Sequence, residues 1–283
     1  MKIATAVILY YPDANVIENI SSYFNSVEKL YLVDNTEIPS KLTADNLKRF
    51  TSAVYIHDGE NKGIAARLNH VGNLALKDGF DWLLTMDQDS SFEDKTFTNY
   101  LNCLSSFEKK EKVSMFGINH VKELDELDNC NAVNVNHLIT SGSVLNLQLM
   151  NEIGGFDEKL FIDEVDFEYC LRSVVKGFSI IQFANIFLTH NLGQTSQHRS
   201  FKTSKLTQRV LHSPVRMYYM TRNFLYVETK YSKAFPDEIN LRKKVLFNRF
   251  KNNILYNRQR FAVMRKIAKG FLDYRKKRMG KLK

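Results

Sequence analysis

The sequence predicts an α/β protein, a mainly parallel sheet of alternating strands and helices followed by a helical, strongly basic C-terminal extension. Three observations carry this reading. Short apolar runs alternate with helical periodicity over the first ninety residues. One of them, Trp82 to Met86, runs directly into Asp87-Gln88-Asp89-Ser90. Positive charge is gathered at the far end: Leu241 to Lys283 holds sixteen Lys and Arg against Asp273 alone. That segment is therefore +15 in a chain whose total is +9, and the first 240 residues carry −6.

Taken in order, Ile3 to Tyr10 reads as a strand, and Val16, Ile17, Ile20 and Phe24 mark one face of a helix. Lys29 to Val33 is a second strand ending at Asp34-Asn35-Thr36, and Val54 to Ile56 a third ending near His57-Asp58-Gly59. Ile64, Leu68, Val71 and Ala75 share a face of a helix that Gly79 terminates. Trp82 to Met86 is then a central strand, because buried strands are short continuous apolar stretches. Beyond Asp89 the pattern loosens into a mixed α+β region as far as Asn191, and from Thr207 onward the chain looks helical.

With 283 residues the chain has room for one large domain, or for a domain with an appendage. Its 44% apolar and 25% charged content is that of a soluble globular protein, and it has no apolar run long enough to span a bilayer. Met1-Lys2 and the apolar residues after them superficially resemble a signal peptide. They lack a small-residue cleavage site and run into Pro12-Asp13, so they read as the first strand. Cys103, Cys130 and Cys170 are odd in number and widely spaced, which suggests neither a disulfide framework nor a zinc site and points to a reducing cytosol.

Asp87 and Asp89 fall at the carboxyl end of a central strand, where open α/β sheets bind ligands. In an extended chain they face the same way, as one hard cation requires; the plainer reading is a polar loop closing the strand. Gly-x-Gly-x-x-Gly and phosphate-binding Gly-Lys-Ser/Thr loops are absent, which disfavours dinucleotide oxidoreductases and ordinary nucleotide hydrolases. Asn61-Lys62-Gly63 either places backbone N–H groups near a phosphate or is a helix entry capped by Asn61.

In the second acidic cluster, a helix beginning near Asp163 makes Asp163 and Asp166 i,i+3 neighbours and Glu164 and Glu168 i,i+4 neighbours. The helix dipole accounts for acids in a first turn. Crowded carboxylates beside aromatics also furnish a general base. Ile186 to Thr189 is an apolar strand ending in His190, either a hydrogen-bonded structural residue or a metal ligand.

In this order the pieces resemble the family-2 glycosyltransferases, most closely the bacterial rhamnosyltransferase-like branch, from Ile3 to about Asn223. Val7 to Pro12 resembles the first strand, which receives the nucleobase at Tyr10, although Tyr11 stands where the family often has Asn. Val33-Asp34-Asn35 is similar to the second-strand end whose Asp contacts base or ribose. The segment Asn61 to Asn69, with Gly63 and Arg67, is similar to the segment beside the nucleotide. Asp87-Gln88-Asp89-Ser90 resembles the metal motif, completed by His190 with Gly193 and Ser196. Thr140-Ser141-Gly142-Ser143 is similar to the acceptor-side strand, and Gly155 to Arg172 to the helix of the catalytic base, which falls on Asp166 with Glu168 as acidic companion and Asp163 in support. Arg216-Met217-Tyr218-Tyr219 with Arg222-Asn223 resembles the element after the core.

The resemblance implies a GT-A-type fold, a Rossmann-like nucleotide-binding half with a mixed sheet, over residues 1–223, with 224–283 as the basic extension. It implies an inverting, Mg²⁺- or Mn²⁺-dependent hexosyltransferase. The donor it favours is dTDP-L-rhamnose, with UDP-galactofuranose, UDP-glucose and UDP-N-acetylhexosamines as alternatives. The acceptor it implies is a hydroxyl of a growing, lipid-linked surface polysaccharide such as O-antigen or capsule, at the inner face of the bacterial cytoplasmic membrane. In the tail, Leu241, Val245, Leu246 and Phe250 form a partial apolar face. The stretch from Arg275 to Lys283 has too few apolar residues to pack, so it is expected to adsorb to anionic lipid. A basic nucleic-acid-binding protein is the alternative of another class. It is disfavoured because the charge is confined to the tail and no recognition motif accompanies it.

Overall fold

The computed structural model describes residues 1–38, 50, 52–93, 95–120, 130–190, 195–199 and 206–283; of His190 and residues 195–199 it describes the backbone only. The first of two compact units comprises residues 1–158 and 165–191. Its elements are β1 (Ile3–Leu9), α1 (Asn15–Phe24), β2 (Lys29–Asp34), β3 (Ala53–His57), α2 (Ile64–Lys77), β4 (Trp82–Asp87), β5 (Ser90–Ser91), α3 (Thr96–Ser106), β6 (Val113–Asn119), β7 (Ala132–Asn134), β8 (Ser143–Asn146), α4 (Leu147–Ile153), α5 (Val165–Val175), β9 (Ser179–Phe187) and β10 (Thr189–His190). The main sheet runs β3-β2-β1-β4-β8-β6-β9-β7, with β3, β2, β1 and β4 mutually parallel and β8 antiparallel to both its neighbours.

The apolar runs form central strands because both faces of the sheet are covered. Val7 and Leu9 of β1, Leu30 and Leu32 of β2, and Trp82, Leu84 and Met86 of β4 all enter one core with α1 and α3. The intervening residues Ala6, Ile8, Tyr31, Val33 and Leu83 are buried as well. Alternate residues of a strand point to opposite faces, so two buried faces require a continuous apolar run. The core is aromatic at its centre, where Phe116 stacks on Phe183 at 5.8 Å and Trp82 tilts against Phe116 at 5.6 Å.

Several expectations are corrected here. Cys103 and Cys130 form a disulfide, so the cysteine count gives no ground for a reducing compartment. Cys170 is a free thiol, and burial pushes it up to about 12, which keeps it unreactive. The run into His190 is two strands, β9 and β10, rather than one. The region after Thr207 is not all helical, because β11 (Thr195–Arg199) and β12 (Leu206–Val210) pair as an antiparallel hairpin.

That hairpin belongs to the second unit, residues 159–164 and 192–283, with α6 (Pro214–Tyr231), α7 (Pro236–Tyr256) and α8 (Arg260–Arg275). The expected boundary after residue 223 falls inside α6, which runs unbroken from the Ser213 N-cap, whose hydroxyl accepts the Arg216 N–H, with Pro214 at the first turn. Arg222 and Asn223 organise this unit. Asn223 Nδ2 donates to the carbonyls of Leu160, Ile162 and Asp163 at 2.8, 2.6 and 3.0 Å. The buried Arg222 guanidinium donates to Leu160 and Gly280 carbonyls at 3.2 and 2.7 Å and lies over the Tyr218 and Tyr219 rings. The C-terminal residues also pack, contrary to expectation. Leu282 joins the Phe161, Tyr218 and Tyr219 cluster, and its N–H donates to the Tyr219 hydroxyl at 2.7 Å.

Among the described residues no helix is long and apolar enough to cross a membrane. Asn223→Ala removes the side-chain donor to the Ile162 and Asp163 carbonyls, while Leu160 keeps Arg222, and should lower unfolding stability by about 2–3 kcal/mol, since each unsatisfied buried polar group costs roughly 1–3 kcal/mol. Urea denaturation followed by circular dichroism checks this, and a loss under about 0.5 kcal/mol would mean that these carbonyls need no such donor.

Candidate active site

The parallel register brings three strand ends to one edge. Leu9 lies beside Asp34, and Ile8 beside Asp87. With neighbouring strands about 4.8 Å apart, the ends of β2 and β4 are about 10 Å apart with Tyr10 between them. This is the edge at which open parallel sheets bind ligands.

Tyr10 is 47% exposed and Tyr11 55%, with their rings edge-on at 4.8 Å. Tyr11 sits at φ +44, a region uncommon for a side-chain-bearing residue, and its hydroxyl donates to Glu37 at 3.1 Å. Gln88 clamps this corner: its Oε1 accepts the Tyr10 N–H at 2.7 Å and its Nε2 donates to the Tyr10 carbonyl at 3.1 Å. The middle residue of the Asp-Gln-Asp motif therefore ties the β4 turn to the end of β1.

Asp87 closes β4, and Asp89 stands in the turn before β5 rather than in extended chain, so strand alternation does not align the two carboxylates. Both are partly exposed oxygen donors. β5 pairs with β10 so that His190 lies opposite Ser90, which brings the backbone of residue 190 alongside this turn. The His190 side chain, Gly193 and the Ser196 side chain lie outside the described residues. Among the described residues no three His, Cys, Asp or Glu side chains converge on one point. Carboxylate oxygens of this kind suit a hard cation, since Mg²⁺ is commonly held by one or two carboxylates with its remaining ligands from elsewhere.

Four expected contact residues are internal instead. Asp34 is fully buried: its Oδ1 accepts the Thr36 N–H at 3.0 Å and hydroxyl at 2.6 Å, and its Oδ2 accepts the Tyr55 hydroxyl at 2.5 Å. This is an Asx turn, and Asp-x-Thr after a strand is its sequence signal. Arg67 is also buried, with its guanidinium on Asp58 at 2.8 and 2.5 Å and its Nε on Asn35 Oδ1 at 3.0 Å. The Arg67 hydrogen bonds hold the Asp58 carboxyl well below the usual carboxylate range. Ser141 is enclosed, its hydroxyl accepting the Asp87 N–H at 3.2 Å and donating to Ser90 at 2.8 Å. Glu168 is fully buried against Arg172 at 2.8 Å, and Arg172 also holds the Ile153 and Gly155 carbonyls.

Gly63, not Asn61, is the N-cap of α2, at φ 85 and ψ 164, a conformation essentially confined to glycine. Asn61 Oδ1 accepts the Gly63 N–H at 3.1 Å and the Asn35 amide at 3.0 Å. Asn35 Oδ1 in turn accepts the Lys62 N–H at 2.9 Å. Asn35, Asp58 and Arg67 thus brace a turn at the start of a fourteen-residue helix, where N–H groups and the helix dipole favour anions. Gly142 is required by its surroundings, because a Cβ there would lie 2.8 Å from Ile118 Cδ1, and its φ is +74.

The second acidic cluster is arranged differently from expectation. The α5 helix starts at Val165, and Phe161, Asp163 and Glu164 take left-handed φ values of 67, 61 and 64, so the expected i,i+3 and i,i+4 pairs do not share a helix. Asp163 and Glu164 belong to the second unit, paired there with Arg216 at 3.3 Å and Arg242 at 3.0 Å. Asp166 remains in the first turn of α5, half-buried, its Oδ1 accepting the Phe167 N–H at 2.8 Å. Asn69 links the two halves of the unit: its amide donates to the Phe156 carbonyl and Glu158, both at 2.9 Å, and its Oδ1 accepts the Phe156 N–H at 2.7 Å.

No known family profile matches the chain. It is 26% identical over 243 residues, 78% of each chain, to the dTDP-rhamnosyl transferase RfbF of Shigella flexneri. Its fold is similar to that of GalNAc-T7, crystallised with UDP, GalNAc and Mn²⁺, with a TM-score of 0.55 over 67% of this chain at 10% identity. It is also similar to that of S. aureus TarS, with a TM-score of 0.54 over 92% of this chain at 13% identity. The chain spans under half the length of these two structures, 44% and 46%. The fold is α/β of the GT-A type, and the resemblance to rhamnosyltransferase-like glycosyltransferases is borne out.

Arg67→Gln should raise the Asp58 carboxyl toward the ordinary carboxylate range, the Lys62 ammonium at 2.7 Å still holding it down in part. A depressed carboxyl contributes stability above its unfolded pKa and loses it as pH falls through the folded one. The stability gap between wild type and variant should therefore be full above about pH 4 and close in stronger acid. NMR titration of Asp58 and denaturation at pH 3 and 6 check this, and an unmoved Asp58 would remove Arg67 as the cause.

Proposed function

We propose, from the premise that this GT-A-type chain resembles the bacterial rhamnosyltransferases, that it transfers L-rhamnose from dTDP-L-rhamnose to an acceptor hydroxyl with inversion. The observation that carries the proposal is the placement of Asp87 and Asp89 at the carboxyl end of a central parallel strand, beside exposed Tyr10. Tyr10 offers the base a ring to stack on, and the N-terminus of α2 at Gly63 offers N–H groups to the diphosphate.

Asp87 and Asp89, with His190 as third ligand, would hold Mg²⁺ or Mn²⁺. Such a cation supplies Lewis-acid neutralisation of the departing diphosphate. Asp166 accepts the acceptor hydroxyl proton as that oxygen bonds to the anomeric carbon and the bond from carbon to the diphosphate oxygen breaks. The transition state is oxocarbenium-like, as in glycoside hydrolysis, and no covalent enzyme intermediate is needed. Asp34, Arg67, Ser141 and Glu168 act by holding the turns that present these groups.

The acceptor in this reading is a lipid-linked surface polysaccharide at the inner face of the bacterial cytoplasmic membrane, and the basic tail binds that face. The second unit supports this with Leu241, Phe247, Leu255, Phe261 and Phe271 exposed on α7 and α8, Phe261 by 74%, among many Lys and Arg. Apolar side chains interspersed with cations give peripheral, salt-sensitive adsorption to anionic lipid.

Purified protein offered dTDP-L-rhamnose and UDP-sugars should turn over the former, with loss of activity on chelation. Asp166→Asn should lower kcat by about 10²- to 10⁴-fold with donor binding retained. Asp89→Ala should weaken donor binding itself. Unchanged kcat in Asp166→Asn, or full activity after chelation, would overturn the corresponding role.

The protein should sediment with anionic but not neutral vesicles at low salt, and Phe247→Ser with Phe261→Ser should weaken this several-fold. Equal sedimentation with both vesicle types would rule out the membrane reading.

A further inference from the structure

The second unit contains a cavity of about 580 Å³ whose lining includes Lys269, Lys277, Arg278, Lys281 and Lys283 against one carboxylate, Asp273. The size lies within the range of small-molecule sites. The carboxylate is already committed: Asp273 Oδ2 accepts the Tyr218 hydroxyl at 2.9 Å and pairs with Lys269 at 2.9 Å, while Arg278 stands 3.9 Å from Oδ1. Burial raises the Asp273 carboxyl, but the Lys269 and Tyr218 hydrogen bonds outweigh it and keep the group below its ordinary value, so it remains an anion. The side chains that line the cavity thus carry more positive than negative charge, a local field that favours entry of an anion.

The charge is held in a built frame rather than on a loose tail. After α8 the chain turns back through left-handed Lys277 (φ 56) and Gly280 (φ 81). The Arg278 N–H donates to the Asp273 carbonyl at 2.8 Å, and the Gly280 N–H to the Lys159 carbonyl at 2.7 Å. The Gly280 carbonyl accepts from Arg222, and the Leu282 N–H donates to Tyr219. Cations at a helix C-terminus also complement its dipole, but that effect fades within the last turn. It accounts for Arg275 and not for Lys281 and Lys283, which this hook returns to the cavity.

We propose that this cavity is a binding site for a phosphate or diphosphate group, read by the ammonium groups of Lys277, Lys281 and Lys283 and the guanidinium of Arg278. Lysines serve phosphate as point charges, and arginine adds a planar fork of donors. Every lining residue belongs to the second unit and none has a part in the proposed sugar transfer, so the site stands or falls independently of that transfer, though it draws on the same basic tail as the membrane reading. The group belongs either to a soluble phosphate ester or to a lipid headgroup, and both present the same oxygens.

Isothermal titration of the full chain with inorganic pyrophosphate in EDTA, at fixed ionic strength, tests the site. The double variant Lys277→Gln, Lys283→Gln should bind at least about tenfold more weakly than wild type. The control Lys77→Gln, Lys112→Gln removes the same charge from exposed positions of the first unit and should bind as wild type does. Equal loss in both variants, or none in the first, would overturn the proposal. A parallel arm with phosphatidic acid vesicles identifies the source. A larger loss in the cavity variant than in the control assigns a lipid headgroup, and equal binding by the two variants assigns a soluble ester.

Discussion

Pairing of β1 between β2 and β4, all parallel and in register, is the constraint on which the rest of the first unit depends. It sets Tyr10 between the ends of the two neighbouring strands and stacks the apolar residues of all three into one core. A parallel strand contributes to this arrangement only if both faces are covered. The helices that cover them therefore also determine where the chain emerges at the carboxyl edge. α2 emerges at Gly63 and β4 at Asp87, and the Gln88 clamp closes the gap between β4 and β1.

The polar residues behind that edge work as braces. Arg67 with Asp58 and Asn35 holds one turn, Glu168 with Arg172 another, and Ser141 with Ser90 a third. Burying a charge is costly unless it is paired and hydrogen-bonded, and breaking such a pair costs several kcal/mol. These pairs consequently specify loop geometry more than they add stability. The groups left at the surface, Tyr10, Asp87, Asp89 and Asp166, are the ones that the sugar-transfer reading needs to meet a ligand. In the second unit Arg222 and Asn223 do for the 159–164 segment and the C-terminal hook what Arg67 does for the α2 turn.

Much of this was legible in the sequence, because the signals were local. Continuous apolar runs specified β1, β2 and β4, and periodicity specified α1 and α2, each to within a residue or two of its observed limits. The position of Asp87 at a strand end and of Asp166 in the first turn of a helix followed from the same patterns. Where the reading failed, the partner a polar side chain found decided the outcome, whether 32 residues away, as Asn35 is from Arg67, or one helical turn away, as Arg172 is from Glu168. Arg67 and Asp34 looked like ligand contacts until Asp58, Asn35 and Tyr55 enclosed them, and Glu168 looked like a companion acid until Arg172 took it.

The sequence by itself determined the α/β class, the order of strands and helices as far as β4, and the carboxylate pair after that strand, since each depends on side chains within one turn or one strand of each other. Tertiary structure alone decided which polar residues face inward, that Cys103 meets Cys130, and that the basic C-terminus folds back onto α6. The physical reason is that burial and pairing are properties of the neighbours a folded chain supplies. A lysine-rich end with few apolar residues reads as solvated until Arg222, Tyr219 and Lys159 provide the hydrogen bonds that hold it in place.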